Sequence, residues 1–342
     1  MWPRAFKILG VVGVAGAGLR YYCKGGVNTY KPDLEGKIVI VTGGNAGIGK
    51  ETARELNRLK AKVIIIGRDE QKAKDFIDEV WQDSKYKGLN SNKIEFYKVD
   101  FSNLEEVAKF AKDFSKSYDR LDILINNAGL SPKSLKKSSQ SQELTMAVNH
   151  LAPSYLTYLL TPILRKTHQS RVVNTASMAH AMNESFTGPL IPDFNDFFFD
   201  KVSQASYNPR LAYNQSKLAN VLFTRGLAQY FVNHSVDAKT CSAHPGFVRT
   251  DFFRDLPNVF KVMMKVGYPV FWLVSKSEME GAQTTLNCAL IPYDKMINGG
   301  YYADCELAET SDVANDPKNT IRLWQLTNDR LKELTGDDSI YK

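Results

Sequence analysis

The sequence contains few cysteines and few histidines for a chain of 342 residues. Its four cysteines are Cys23, Cys241, Cys288 and Cys305, and no two of them are close enough in sequence to form a CxxC pair. Disulfide-stabilised domains are rich in cysteine, and structural zinc sites use closely spaced cysteine or histidine ligands. The scarcity of cysteine therefore argues against a disulfide framework and against a metal site, and we expect the four thiols to be reduced.

The sequence also lacks a run of about 20 consecutive apolar residues, the length that spans a bilayer unaided. The nearest approach is Ile8–Leu19, an uncharged apolar run with basic residues on both sides. A secretory signal has this length, but Arg20, Tyr21 and Tyr22 make a poor small-residue cleavage site. A mitochondrial presequence is favoured by the basic, acid-free start of the chain and disfavoured by the absence of serine there.

A third interpretation of this segment is an uncleaved membrane-anchor helix within residues 1–32. The helix becomes long enough if Trp2–Phe6 and Tyr21–Cys23 lie at the two membrane interfaces. Gly13 and Ala17 would then give it a small-residue face suited to contact with another membrane protein, although glycine is common in membrane segments. We expect such an anchor, in either the mitochondrial inner membrane or the endoplasmic reticulum.

Positive charge is not spread over the whole chain, as it is in many nucleic-acid-binding proteins. The formal net charge is +7, but five basic residues precede the first acid, Asp33, and leave +2 for everything after it. A basic excess beside one apolar stretch suits an anionic lipid surface better than a DNA groove. We therefore expect a membrane partner and no nucleic acid.

From Lys37 onward, strand and helix signals alternate, which is typical of a doubly wound parallel α/β sheet. Lys37–Thr42 is a β-branched run that leads directly into a glycine-rich turn, and an amphipathic helix follows from about Lys50. Glycines allow the backbone to approach a pyrophosphate at the start of that helix. The pattern predicts one Rossmann domain over residues 33–311, with dinucleotide contacts from Gly43, Asn45, Gly47, Ile48 and Gly49.

The end of the next predicted strand, Lys62–Ile66, indicates which dinucleotide is bound. An acid at this position would bind the ribose 2′-hydroxyl, but the chain has Gly67 and Arg68. Gly67 leaves space and Arg68 offers a cation for a 2′-phosphate, so NADP(H) is preferred over NAD(H). The alternative is an exposed Arg68 that pairs with Asp69 or Glu70.

Two further strand ends carry polar residues suited to the same ligand. Lys93–Val99 ends at Asp100, whose carboxylate could meet the adenine amino group, and Leu121–Ile125 ends in Asn126-Asn127-Ala128-Gly129. Together, TGGNAGIG, the acid after the third strand and NNAG resemble the short-chain dehydrogenase/reductase family. The resemblance implies nicotinamide-dependent oxidoreductase activity and adds four residues to the predicted cofactor site: Asn127, Ala128, Val248 and Thr250.

Tyr213 and Lys217 match the YxxxK motif of that family. Residues four apart share one helix face, so the Lys217 ammonium can lie near the phenol. We expect this ammonium and an oxidised nicotinamide to lower the pKa of Tyr213, which then acts as general acid and base. The resemblance also implies that Ser177 orients a carbonyl and that Asn149 holds a water in a proton relay.

Longer phrases, among them VNHL, YNQSKLANVLF and HPGFVRT, resemble the retinol dehydrogenase-like branch, which includes the WW-domain oxidoreductases. An insertion covers residues 178–212. The segment 251–278 is rich in Phe and Met and is predicted to be a lid over a lipophilic substrate, although it could equally pack on the core or a partner. Residues 312–342 form a C-terminal helical extension, predicted as one amphipathic helix. His150 and His244 are expected to be structural.

Two functions follow from these patterns. The first is an active, membrane-anchored NADP(H) oxidoreductase for a retinoid, steroid or fatty aldehyde. The second is an accessory subunit of a larger membrane complex, possibly a mitochondrial respiratory one, in which the dinucleotide fold contributes structure and bound nucleotide. The small-residue helix face and the basic N-terminus motivate the second function.

Overall fold

The computed structural model describes residues 18–82, 94–185, 187–249 and 268–341. At its centre lies an eight-stranded sheet in the order β3-β2-β1-β4-β5-β6-β7-β8. The strands are β1 Ile38–Thr42, β2 Lys62–Gly67, β3 Ile94–Lys98, β4 Ile123–Asn126, β5 Ser170–Thr175, β6 Ala238–His244, β7 Gly300–Ala303 and β8 Glu306–Leu307. Strands β1 to β7 are parallel, and β8 is antiparallel to β7.

Helices cover both faces of this sheet, as predicted for a doubly wound fold. They are α1 Gly47–Arg58, α2 Glu70–Gln82, α3 Leu104–Ser117, α4 Ala152–Lys166, α5 Pro209–Asn233, α6 Tyr268–Val274, α7 Glu278–Leu290, α8 Asp312–Asn315 and α9 Pro317–Thr335. The sheet is also flanked by a short helix Leu144–Met146, a π-helical turn Ala147–Leu151 and a 3-10 turn Met178–Ala181. Residues 18–23, where the described part of the chain begins, are helical as well.

The β-branched runs form the central strands because both faces of each strand are buried. Ile40 of β1 lies opposite Ile64 of β2, and both side chains are fully buried in the core under α3, α4, α5 and α9. Val41 and Ile65 alternate with them and face the second core, under α1, α2 and α7. Because strands β1 to β7 are parallel, their carboxyl ends lie at one edge of the sheet, where ligands bind in such sheets.

Of the predicted anchor segment, residues 1–32, the first 17 residues lie outside the described part of the chain. The stretch that follows packs on the body, where Arg20 forms a 2.5 Å ion pair with Glu280 at the start of α7 and lies over the ring of Trp272, 5.0 Å from its centre. Tyr21 and Tyr22 are exposed. Every helix within the described ranges is too short or too polar to cross a membrane.

The C-terminal extension forms two helices rather than the single predicted one. Asp316 ends α8 and caps α9, since its side chain accepts a hydrogen bond from the backbone of Lys318, and Pro317 begins the new helix. The extension packs on α5 through Trp324. Beyond it, the buried Tyr341 donates from its hydroxyl to the carbonyl of Ser154 in α4 at 3.0 Å.

Candidate active site

The glycine-rich turn between β1 and α1 has the backbone geometry of a phosphate cradle. Gly43 and Gly47 both have positive φ, at 64° and 56°. A Cβ on Gly49 would lie 2.2 Å from the carbonyl oxygen of Gly43, so only glycine fits there. The N-cap of α1 is Ala46, which provides no side-chain cap. The first amides of α1 therefore suit an anionic ligand, and the cradle fits a dinucleotide pyrophosphate.

Thr42 holds this turn against the end of β4, a role that the sequence interpretation missed. Its Oγ1 accepts hydrogen bonds from the backbone amides of Asn127 and Ala128, both at 2.9 Å. The Asn127 side chain donates in return to the carbonyl of Thr42 at 2.9 Å. The NNAG segment is thus fixed beside the glycine turn, with the Asn127 side chain bound to protein backbone. Thr42 stands at the first position of TGGNAGIG, so the motif contained the signal.

The end of β2 presents Arg68 to solvent. Among the described residues it forms no ion pair, so the alternative pairing with Asp69 or Glu70 is not seen. The space beside Gly67 is filled by Asn45, since a Cβ on Gly67 would lie 2.7 Å from the Asn45 Oδ1. Asn45 also donates to the carbonyl of Asp69 at 2.9 Å. Gly67 is therefore needed for Asn45 to pack, and Arg68 remains the cation available at this edge.

Asp100 follows β3 at the same edge of the sheet and is half-buried. One of its carboxylate oxygens accepts a 2.8 Å hydrogen bond from the backbone amide of Ser102, which closes the turn into α3. The backbone amide of Asp100 donates to Glu106 at 2.8 Å. The side chain is thus held in place near the position that an adenine ring would occupy.

The structure brings Ser177, Tyr213 and Lys217 together from two separate elements. Ser177 lies just beyond β5, where it caps the 3-10 turn, and its hydroxyl is hydrogen-bonded to the phenol of Tyr213 in α5. The ammonium of Lys217 lies over the Tyr213 ring, 5.5 Å from its centre. It donates to the carbonyl of Thr175 at 3.1 Å, a main-chain partner that the sequence could not reveal.

Burial shifts the pKa values of Tyr213 and Lys217, an effect that the sequence interpretation did not include. It raises the pKa of Tyr213 to about 12, while the hydrogen bond with Ser177 opposes the rise. It also lowers the pKa of Lys217 to about 8. In the protein without cofactor, desolvation penalises the phenolate more than its surroundings favour it. The fall in the Tyr213 pKa expected with an oxidised nicotinamide bound stays a prediction.

Asn149 lies in the π-helical turn, a distortion often found at functional sites. Its amide is fully used: Oδ1 accepts from the backbone of Leu130 at 2.8 Å, and Nδ2 donates to the Leu130 carbonyl and to Ser216 Oγ, both at 3.0 Å. A Cβ on Gly129 would lie 3.4 Å from Asn149 Oδ1 and 3.7 Å from Lys217 Nζ. Asn149 therefore lies near Lys217 and is bound to Ser216, a contact that the sequence did not indicate. Its role in a proton relay stays a prediction.

Three histidines surround the site, and each is held by protein atoms. Nε2 of His150 lies 2.8 Å from Thr327 Oγ1, and Nδ1 of His244 accepts from the Gly246 amide at 3.3 Å. Burial lowers the pKa of each of these two histidines to about 4. His180, missed from the sequence, lies 2.7 Å from the carbonyl of Ser177 and steadies that turn. The structural roles expected for His150 and His244 are confirmed.

Val248 closes the site on the side away from the adenine end. It is buried, pairs in a β-bridge with Lys276 and packs against Gly281 of α7, where a Cβ would lie 2.6 Å from it and 3.3 Å from Ile48. Ile48 and Val248 thus meet at one point. Thr250 and most of the predicted lid, residues 250–267, lie outside the described residues.

Comparisons with known proteins agree with this geometry. Residues 37–188 match the short chain dehydrogenase family. Retinol dehydrogenase 12 from Mus musculus is 35% identical over 321 residues, which cover 94% of this chain and 94% of that protein. Dehydrogenase/reductase SDR family member 13 from Homo sapiens is 37% identical over 89% of this chain and 74% of its own length.

Solved structures share the fold. An uncharacterised protein from Mycobacterium paratuberculosis has a TM-score of 0.68 at 26% identity, covering 90% of this chain and 98% of that one. The Pseudomonas aeruginosa RhlG/NADP complex has a TM-score of 0.60 at 22% identity, covering 80% of this chain and 96% of that one. The chain belongs to the short-chain dehydrogenase/reductase family, on the retinol dehydrogenase-like branch.

Proposed function

We propose that this chain uses NADP(H) to interconvert the carbonyl and alcohol forms of an apolar substrate, with Tyr213 as the general acid and base. The observation that carries the proposal is the hydrogen bond between Ser177 and the Tyr213 phenol, with the Lys217 ammonium 5.5 Å from the ring centre. Two hydroxyls that meet in this way can bind one substrate oxygen.

The residues at the sheet edge fit a nicotinamide dinucleotide. Gly43, Gly47 and Gly49 would hold the pyrophosphate at the start of α1, and Asp100 would meet the adenine. When bound, the nicotinamide supplies or accepts the hydride. The preference for the phosphorylated cofactor is supported by Arg68, which is exposed and unpaired among the described residues, and by the absence of an acid at that strand end.

In carbonyl reduction, Ser177 donates a hydrogen bond to the substrate oxygen and Tyr213 gives that oxygen its proton. A phenol with a pKa raised to about 12 is fully protonated at neutral pH and can act as the donor. The Lys217 ammonium stabilises the phenolate that remains. Asn149, tied to Ser216 and Leu130, holds the backbone beside Lys217, where water can return the proton.

The substrate class is supported by the relatives. Their names assign retinol, a long apolar alcohol, to proteins that this chain matches over most of its length. A retinoid, steroid or fatty aldehyde is therefore the class we propose, with the segment 251–278 as its cover. The chain would meet such a substrate at a membrane, held there by residues 1–32.

The localisation proposal rests on the basic, apolar N-terminal segment. Exposed Tyr21 and Tyr22, next to the basic Arg20 and Lys24, suit a membrane interface. The endoplasmic reticulum and the mitochondrial inner membrane are separated by fractionating cells that express the tagged full chain. Recovery in the soluble fraction would contradict membrane attachment. The small-residue face at Gly13 and Ala17 lies outside the described residues, so no described contact favours the accessory-subunit function.

The activity is tested with the purified full chain, NADPH and a panel of retinal, a steroid ketone and a long-chain aldehyde. We expect NADPH oxidation with at least one member, and a rate lower by about 10²-fold or more with Tyr213→Phe. Tight NADPH binding without turnover of any panel member would overturn the proposed function.

A further inference from the structure

The C-terminal helix α9 reaches the centre of the molecule. Thr327 is fully buried, and its hydroxyl lies 2.8 Å from Nε2 of His150. One turn earlier, Trp324 packs on Gly226 of α5, where a Cβ would lie 2.4 Å from the indole ring. Trp324 also stacks on Phe223 with ring centres 5.6 Å apart. The extension is therefore fixed against the same helix that carries Tyr213.

His150 connects that extension to the catalytic centre. It follows Asn149 in the π-helical turn, and its ring is fully buried and edge-on to Phe223 at 5.8 Å. Since burial lowers the pKa of His150 to about 4, the ring is neutral at physiological pH. The side chain of Asn220, in α5, lies beside the imidazole and opposes this fall.

Asn220 shares an acceptor with the catalytic lysine. Its Nδ2 donates to the carbonyl of Thr175 at 3.0 Å, and Lys217 Nζ donates to the same oxygen at 3.1 Å. Thr175 is the last residue of β5, two positions before Ser177. One main-chain carbonyl thus fixes both the ammonium and the buried amide that faces His150.

We propose that Thr327 is a positioning residue for the catalytic centre. Through His150 and Asn220 it fixes the surroundings of the Thr175 carbonyl, which holds the Lys217 ammonium over Tyr213. Through the π-helical turn it also fixes Asn149. The inference rests on the proposed roles of Tyr213 and Lys217, and it gives the C-terminal extension a function in catalysis.

The pKa of Tyr213 reports on the position of the Lys217 ammonium. The titratable groups that face Lys217 among the described residues are Tyr213 on its own helix and His244 at the end of β6. If the ammonium loses its fixed position, the Tyr213 phenolate is stabilised less. The pKa of Tyr213 then rises, whereas a loss of general stability would leave it unchanged.

The experiment measures the phenolate absorbance of the full chain with saturating NADP+ as a function of pH, as a difference against the same chain carrying Tyr213→Phe. This measurement needs no substrate, so failure of the proposed substrate class does not affect it. We expect Thr327→Val to raise the titration midpoint by about half a pH unit or more and to lower kcat with little change in the KM for NADPH.

Two control variants isolate the hydroxyl. Thr327→Ser keeps the hydroxyl and is expected to titrate like the parent, and Thr320→Val changes a half-buried threonine on the same helix and is expected to have no effect. A folded Thr327→Val chain with the parent midpoint would overturn the proposal, as would a shifted midpoint in Thr327→Ser. If Thr327→Val does not fold, Asn220→Ala decides: a raised midpoint supports the proposal, and an unchanged one overturns it.

Discussion

The cofactor cradle and the catalytic centre of this protein are built in different ways. In the cradle, the ligand-facing surface is backbone, and the side chains of Thr42 and Asn127 are used only to fix it. In the proposed catalytic centre, the working groups are the side chains of Ser177, Tyr213 and Lys217, which the fold brings together; the first two are half-buried and Lys217 is buried. Cofactor binding therefore depends on room for the main chain, whereas catalysis depends on desolvated groups held by tertiary contacts.

The largest expected effect is the loss of activity when the Tyr213 hydroxyl is removed. Tyr213→Phe removes the proton donor while keeping the ring against Lys217, so the rate should fall by about 10²- to 10⁴-fold. NADPH affinity, measured by quenching of protein fluorescence, should stay within about twofold of the parent. Residual activity above a few per cent would show that another group transfers the proton. Tyr207→Phe, which changes a tyrosine bound to Glu143, serves as the matched control.

The backbone of the glycine-rich turn is tested by adding one methyl group at Gly49. Gly49→Ala places a Cβ 2.2 Å from the Gly43 carbonyl, so the turn must open. We expect NADPH affinity to fall by about tenfold or more, equivalent to about 1.4 kcal/mol or more. Gly188→Ala is the control, because its Cβ would approach only the Asn183 side chain, at 3.2 Å. Equal affinity of the Gly49→Ala and parent chains in a titration would contradict the cradle.

Arg68→Gln tests a side chain, rather than the backbone, within the proposed cofactor site. The loss of a charge-assisted contact should weaken NADPH binding by about 10- to 100-fold. NADH binding should be unchanged, because NADH carries no 2′-phosphate. Isothermal titration with each cofactor measures the ratio. A parallel loss for both cofactors would show that Arg68 supports the fold rather than the phosphate.

The smallest effect concerns stability. The pKa of Lys217 is lowered to about 8 from 10.5, so the folded state holds its proton less well than the unfolded chain. This penalty is fully present below pH 8 and disappears as the pH rises to 10.5. We expect Lys217→Met to raise the free energy of unfolding by up to roughly 3 kcal/mol at neutral pH.

Urea unfolding of the two chains at several pH values measures this gain. The gain should shrink between pH 8 and 10.5, while the exposed Lys318→Met control shows none. If the gain in the free energy of unfolding does not change with pH, it comes from packing and not from removal of the buried charge.

The sequence could predict features whose residues are adjacent in the chain. Strand β1, the glycine turn and α1 are adjacent in the chain, so the sequence pattern was enough to predict the phosphate cradle. The predicted strands match β1 and β2 within one residue. The YxxxK spacing placed Lys217 on the face of Tyr213 for the same local reason. Arg68 was identified as the cation at its strand end, and the structure leaves it exposed.

Features that depend on distant contacts could not be predicted. No sequence pattern indicates that the Thr175 carbonyl accepts from Lys217, or that Thr327 meets His150 across 177 positions. The raised pKa of Tyr213 in the protein without cofactor could not be predicted either, because burial, which dominates it, is a property of the whole fold. The break at Asp316 was missed because amphipathic periodicity continues through a capped junction.

The most direct test of the central claim follows the hydride itself. The full chain is incubated with retinal and NADPH deuterated at C4 of the nicotinamide on the transferred face, and the alcohol is analysed by mass spectrometry. We predict one deuterium in the product formed by the parent and about 10²-fold less product, or lower, from Tyr213→Phe in the same time. A parent chain that binds NADPH tightly but forms no deuterated alcohol from retinal, the steroid ketone or the long-chain aldehyde would contradict the account.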